Sequence, residues 1–259
     1  MLAAADEFAA IFTRWRVWFL MANQDISLRY RRSLLGPFWI SLAMASLIIG
    51  LGLLYSQIFH QPFKEYVSFI AAGLVAWTLL SGLLLESCNV VMESDGHLRA
   101  LPLPLSLFAA RMVFRNLIIF GHNLLVVVLM LFIFQHRISP LIVLALPGLA
   151  IMLLFGFGVA LILGPLSARF RDIPQVMASF VQLAFFLTPI FWRASQLKAS
   201  NPVVVLNPLF HFVELIRQPL LGHVPTLLNW GVALAVTAVS LALALVVQAY
   251  TRRKLFLWL

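Results

Sequence analysis

The stretch Asp25–Ile49, DISLRYRRSLLGPFWISLAMASLII, decides how the rest of the chain is read. Arginines occupy three of the four positions 29–32, at Arg29, Arg31 and Arg32. A Gly36-Pro37 break follows, and then an apolar run that meets no charge until Lys64. A cationic cluster abutting such a run fixes one end of a membrane helix on the cytoplasmic side. About 20 apolar residues cross the hydrocarbon core. Residues 34–59 are long enough to do so with some tilt.

The composition agrees. Of 259 residues, 63% are hydrophobic and only 10% are charged. A soluble domain carries about a quarter charged residues, so the solvent for most of this surface is lipid. The net charge is +9, from 18 Lys+Arg against 9 Asp+Glu. These bases lie between apolar spans, which reads as a topology signal and lipid headgroup contact, not as a nucleic-acid surface. The single cysteine, Cys88, has no internal disulfide partner. No CxxC or His/Cys cluster points to a metal, so Cys88 reads as a helix-packing residue. The first apolar run is broken by Arg14 and Arg16 and lacks a small-residue cleavage site, so the N-terminus is expected to be retained.

Upstream of the opening stretch, Phe8, Ile11, Phe12, Trp15, Trp18, Phe19 and Ala22 recur at helical spacing. Thr13, Arg14, Arg16 and Gln24 lie off that stripe. The pattern predicts an amphipathic helix lying in the membrane interface or packed on the bundle. The expected organisation is therefore an interfacial helix and basic linker over 1–33, then an all-α membrane domain over 34–259. Its six spans are expected near 34–59, 66–91, 113–134, 140–168, 173–192 and 230–250. The segment Arg193–Asn229 is rich in proline, and Pro208–Pro219 is too short to span. It predicts short re-entrant or interfacial helices before the last span.

With the N-terminus cytoplasmic, this topology puts 13 bases inside and 5 outside, accounting for all 18. The inside set includes Arg29, Arg31, Arg32, Arg99, Arg111, Arg115, Arg169 and Arg171. The bias favours six spans with both termini cytoplasmic.

Little in the chain suggests covalent chemistry. A P-loop places lysine directly after glycine, and Lys64, Lys198 and Lys254 do not follow one. No HExxH or GxSxG occurs. The acids Asp25, Glu86, Glu93, Asp95, Asp172 and Glu214 are scattered over different turns and helix ends. No catalytic residue is assigned. Glu86 is expected to pair with a nearby arginine or to contact a partner, and His122-Asn123 to make hydrogen bonds between helices. Protonatable groups along the midplane, which an ion-coupled pump needs, are almost lacking. Aromatic side chains are plentiful. Phe38, Trp39, Tyr55, Phe185, Phe186 and Trp192 are candidates to line a channel in which sugar rings slide on aromatic faces.

Four segments carry a resemblance. DISLRYRRSLLGPFW at Asp25–Trp39, ARFRDIPQV at Ala168–Val176, LTPIFW at Leu187–Trp192 and LNPLFHFVELIRQPLLG at Leu206–Gly222 occur in this order. Together they resemble the transmembrane subunits of ABC-2-type polysaccharide exporters, which serve O-antigen, capsule and teichoic acid. The O-antigen branch is the most similar, through LGPFW and RFRDI.

The resemblance implies a homodimer bound to two copies of a separate ABC ATPase, which holds the ATP and Mg; this chain needs no cofactor. It implies a bacterial inner-membrane protein that moves an undecaprenyl-diphosphate-linked polysaccharide. Arg29, Arg31 and Arg32 then sit where the pyrophosphate headgroup meets the interface, which guanidinium forks suit. The same three residues serve equally well to orient the first helix. Glu93, Asp95 and Arg99 fall on the coupling segment that docks on the ATPase. Phe210, Glu214 and Arg217 fall on a periplasmic gate, where Glu214 and Arg217 are spaced to pair. Two rival readings are an ABC-2 permease for capsule, teichoic acid or a smaller lipid or drug, and a membrane enzyme acting on polyprenyl-linked sugars.

Overall fold

The computed structural model describes residues 9–100, 103–134, 139–196 and 201–251, and of Arg99 and Ala100 only the backbone. Every regular element among the described residues is helical. They are α1 (Trp15–Arg29), α2 (Phe38–Ile58), α3 (Phe63–Ser87), α4 (Asp95–Ala100), α5 (Leu105–Ile133), α6 (Ala145–Arg169), α7 (Ile173–Leu187), α8 (Pro202–Val205), α9 (Pro208–Leu220) and α10 (Leu227–Thr251). Short 3-10 turns precede α4, α6 and α8.

Five helical segments are long and apolar enough to cross a bilayer: Phe38–Ile58, Phe63–Ser87, Leu105–Ile133, Pro140–Arg169 and Leu227–Thr251. This is a multi-pass membrane protein. The expected fifth span is α7, whose 15 residues rise only about 22 Å at 1.5 Å each. The third helix starts at Leu105, not near 113, because Pro104 is extended and sets its N-terminus. Arg111 and Arg115 therefore stand inside α5. The first span starts at Phe38, not 34. Gly36 at φ 56° and the αR-region Pro37 turn the chain just before it, and Arg32 adopts φ 67°.

The centre of the bundle is α3, of which 78% of the apolar window is buried. It contacts α2, α5, α6, α7 and α9. The outer helix α10 turns its small and polar residues inward. On α10 the buried set is Asn229, Ala233, Thr237, Ser240, Ala244, Gln248 and Thr251, at steps of three and four. Its leucines and valines, such as Leu234, Val239, Leu243 and Val246, are exposed. Lipid is as apolar as leucine, so helices associate here through close packing and not through water exclusion. The contact with α6 shows it: a Cβ built at Gly158 would lie 2.7 Å from Ser240 Oγ and 3.2 Å from Leu241 N.

Side-chain caps start the short distal helices. Asn201 Oδ1 accepts from Val203 N, and Asn207 Oδ1 accepts from Leu209 N, each with proline beginning the helix. Asparagine followed by proline is a strong helix start. The amphipathic expectation for the N-terminus holds in a modified form. Residues 9–13 are helical, Arg14 makes a turn, and α1 continues to Arg29; Phe8 lies outside the described residues. Ala22 and Ile26 are buried and α1 packs on α5, while Phe12, Trp15 and Leu20 remain exposed. The stripe thus divides into an edge on the bundle and an edge open to its surroundings.

Candidate functional site

The bundle gathers its polar side chains at two ends. The proximal end carries the last turn of α3 and the second and third turns of α5. Here Arg115, with its side chain 8% exposed, is the hub. Its Nε and Nη2 donate to Glu86 Oε2 at 3.0 and 2.9 Å. Its Nη1 donates to Asp25 of α1 at 3.2 Å, and Nη2 also donates to Glu93 at 3.1 Å. Arg111 grips the same Asp25, with Nε donating at 2.7 Å and Nη2 donating to the second oxygen. Asn116 donates to Glu86 at 2.7 Å, and Arg29 approaches the other Glu86 oxygen at 3.9 Å. One guanidinium thereby joins α1, α3, α5 and the turn before α4.

Asp25 is far from Glu86 and Glu93 in sequence. Asp25, Glu86 and Glu93 in fact converge, because α1 folds back on α5 and the chain doubles back between α3 and α5. The expectation that Glu86 pairs with an arginine is met by Arg115. The helical spacing of Arg111 and Arg115, four apart, was the available signal. Of the other expected polar pair, the His122 side chain bonds within its own helix, where Nδ1 meets Ile118 O at 2.9 Å. The bond between helices there runs from Ser41 Oγ to the His122 carbonyl at 3.0 Å.

Arg31 and Arg32 are exposed in the turn after α1, beside the exposed Arg29. All three stand within a few residues of the Asp25 anchor. Glu93 and Asp95 lie on the short helical segment after α3, with Glu93 44% exposed although it reaches Arg115. The backbone of Arg99 is in α4, and its side chain lies outside the described residues.

The distal end is built from the start of α3, the approach to α6, the segment after α7, and α9. Glu214 and Arg217 pair on one face of α9, as their spacing predicts, and both are about 97% buried in their side chains. Arg217 Nη2 donates to Glu214 Oε1 and Gln218 donates to Oε2, so both carboxylate oxygens are occupied. Arg217 Nη1 donates to the Pro189 carbonyl. Beside the pair is a cavity of about 930 Å³. Phe210 is half-buried and lines it.

The aromatic candidates do not form one set. Phe38 and Trp39 begin α2, whereas Tyr55 is near its end, about 25 Å away at 1.5 Å per residue. Tyr55, Phe185 and Phe186 do meet, through Phe191: centroid distances to Phe191 are 5.3, 5.7 and 6.2 Å. Trp192 Nε1 donates to the Phe186 carbonyl at 3.2 Å. Their junction, Phe191, lies in the LTPIFW segment. One face of α7 is open along its length: Val176, Phe180, Leu183, Phe186 and Leu187 are exposed.

No group of three or more His, Cys, Asp or Glu fit to hold a metal occurs among the described residues. What the arrangement offers is an apolar bundle with charged side chains gathered at both ends. The family model described as ABC-2 type transporter matches residues 16–221. The chain belongs to the ABC-2 type transporter family. Members of that family are transport components that normally work with an ABC ATPase partner. Two relatives are similar along most of their length. The O-antigen export system permease protein RfbA of Klebsiella pneumoniae is 24% identical over 200 residues, covering 73% of this chain and 74% of that protein. The protein of the same description from Myxococcus xanthus is 22% identical over 192 residues, with the same coverage. The matched family region takes in α1 to α9, and hence both polar ends.

Proposed function

We propose that this chain is the membrane half of an ATP-driven exporter that carries an undecaprenyl-diphosphate-linked polysaccharide, O-antigen, across a bacterial inner membrane. The observation that supports this most is that both relatives are named for O-antigen export and align over about three quarters of their length. The polar geometry is compatible with transport. Charged side chains cluster at the two ends of the bundle, and aromatic faces accompany them at each end of α2.

In this reading two copies of the chain join two copies of an ATPase, with ATP and Mg held by that partner. Six crossings result when α7 is extended by residues 188–192, and α8 and α9 dip into the bilayer from the periplasmic side. Both termini are then cytoplasmic, the N-terminal unit is 1–33 and the membrane domain 34–259. Arg29, Arg31 and Arg32 receive the diphosphate at the cytoplasmic interface, where a guanidinium fork matches phosphate oxygens. Glu93, Asp95 and Arg99 dock on the ATPase. Because Glu93 also bonds Arg115, movement of that segment reaches α1, α3 and α5 through one side chain. Tyr55, Phe185, Phe186 and Trp192 offer stacking faces to sugar rings, with Phe38 and Trp39 at the opposite end of α2. Phe210, Glu214 and Arg217 form the rigid part of the periplasmic gate.

The test is export in a strain that lacks this chain. Complementation with the wild type is expected to restore surface polysaccharide, and R31E/R32E to leave polymer on its polyprenyl carrier inside the membrane. Pull-down of the tagged chain is expected to bring an ABC ATPase. Unchanged surface polymer in the strain without the chain overturns the assignment. Normal export by a correctly inserted R31E/R32E overturns the headgroup role.

A further inference from the structure

The distal cavity holds more positive charge than its own acids compensate. Arg193 and Arg217 both lie over the Phe69 ring, with Cζ 5.3 and 4.5 Å from its centroid. The two guanidiniums are therefore less than about 10 Å apart, where like charges away from bulk water repel appreciably. Glu214 is fully occupied by Arg217 and Gln218. Among the described residues no carboxylate lies within ion-pair distance of Arg193, and Lys64 on the cavity rim has none either. The remaining acid of the wall, Glu65, is exposed and so weakened by solvent. A second observation points the same way. Arg217 is 2% exposed, yet its Nε has no hydrogen-bond partner, and the Nε of Arg193 is likewise buried and unpartnered. Buried donors on charged groups are costly when left unsatisfied. Two cations over one ring, only one of them paired with a carboxylate, beside a cavity of about 930 Å³ describe a seat for an anion.

We propose that this cavity binds a phosphate-type anion, with Arg193 and Lys64 as its free cationic groups and Arg217 as its buried floor. Guanidinium suits such a ligand because its fork donates two parallel bonds to phosphate oxygens. The anion can arrive on a lipid headgroup or free from the distal side. The cavity is large enough for either. The Glu214–Arg217 pair fixes the floor, and Phe69 holds both guanidiniums in place. The inference concerns this chain alone and does not require O-antigen to be the cargo.

The test uses the full chain in nanodiscs of phosphatidylcholine, titrated calorimetrically with inorganic phosphate and pyrophosphate. A second arm uses nanodiscs containing phosphatidylglycerol, with retained lipid counted by native mass spectrometry. Saturable binding of the inorganic anions assigns a freely reached site. Retention of phosphatidylglycerol alone assigns a headgroup site. Either supports the proposal if R193Q weakens binding by about ten-fold or more, the size expected for one charge-assisted hydrogen bond. K64Q, at an exposed position, is a second variant whose folding is secure, and it is expected to weaken binding too. R171Q, at an exposed position in the turn between α6 and α7, is expected to leave it unchanged. Absence of binding in both arms overturns the proposal, as does binding insensitive to R193Q and K64Q. No ATPase or polymer enters this assay, so its failure leaves the export reading standing.

Discussion

Replacing Arg115 by glutamine removes the one side chain that joins α1, α3, α5 and the turn before α4. In the wild type it donates to Asp25, Glu86 and Glu93 at 2.9–3.2 Å from a side chain 8% exposed. Breaking a buried ion pair by removing one partner costs about 3–5 kcal/mol, since the other charge stays buried without compensation. Not all three contacts reach that scale. Glu93 is 44% exposed, so its share is that of a surface pair, below about 1 kcal/mol. Asp25 keeps Arg111, and Glu86 keeps Asn116 and a distant Arg29. With these residual partners, R115Q is expected to cost about 3 kcal/mol, the low end of that range. The loss should fall mainly on the docking of α1, whose buried apolar anchors are only Ala22 and Ile26. Hydrogen exchange across residues 15–30, followed in nanodiscs, is the direct assay. A loss of about 3 kcal/mol accelerates exchange there by about 150-fold in the regime where opening is at equilibrium. R115K keeps the charge but not the fork, so it should fall between the two. If R115Q leaves exchange in α1 within a factor of three of wild type, the ion cluster does not hold that helix, and the argument from Arg115 is wrong.

Other outcomes follow from the same coordinates. G148A should lower thermal stability by about 1–3 kcal/mol, because its Cβ would lie 2.8 Å from the backbone oxygen of Leu215. G50A, which meets nothing within 4 Å, should be neutral or slightly stabilising in the same unfolding scan. E214Q leaves Arg217 buried without its carboxylate and should cost about 3–5 kcal/mol, whereas E214Q/R217M should recover most of that loss; equal losses in single and double variants would refute the pairing. Cys88 is buried, so a bulky maleimide should label it only after denaturation, and rapid labelling of folded protein would contradict its packing role.

The wording of the polar ends was only half legible. Glu214 and Arg217 are neighbours along one helix, so spacing alone paired them. Asp25 and Arg111 are 86 positions apart, and nothing local joins them. Arg193 and Arg217 share Phe69 although they belong to different segments. The asparagine caps at Asn201 and Asn207 are legible as helix starts beside their prolines.

By itself the sequence determined that lipid is the solvent, that helices carry the chain, and roughly where they begin and end. Those properties follow from runs of apolar residues, which act over a few turns at a time. The tertiary structure decided which charges meet, that α3 lies at the centre, and that small and polar residues, not leucines, face inward on α10. In lipid the apolar effect does not say which face of a helix is inside. Close contact and hydrogen bonding between distant segments do, and neither is written in the order of residues along one helix.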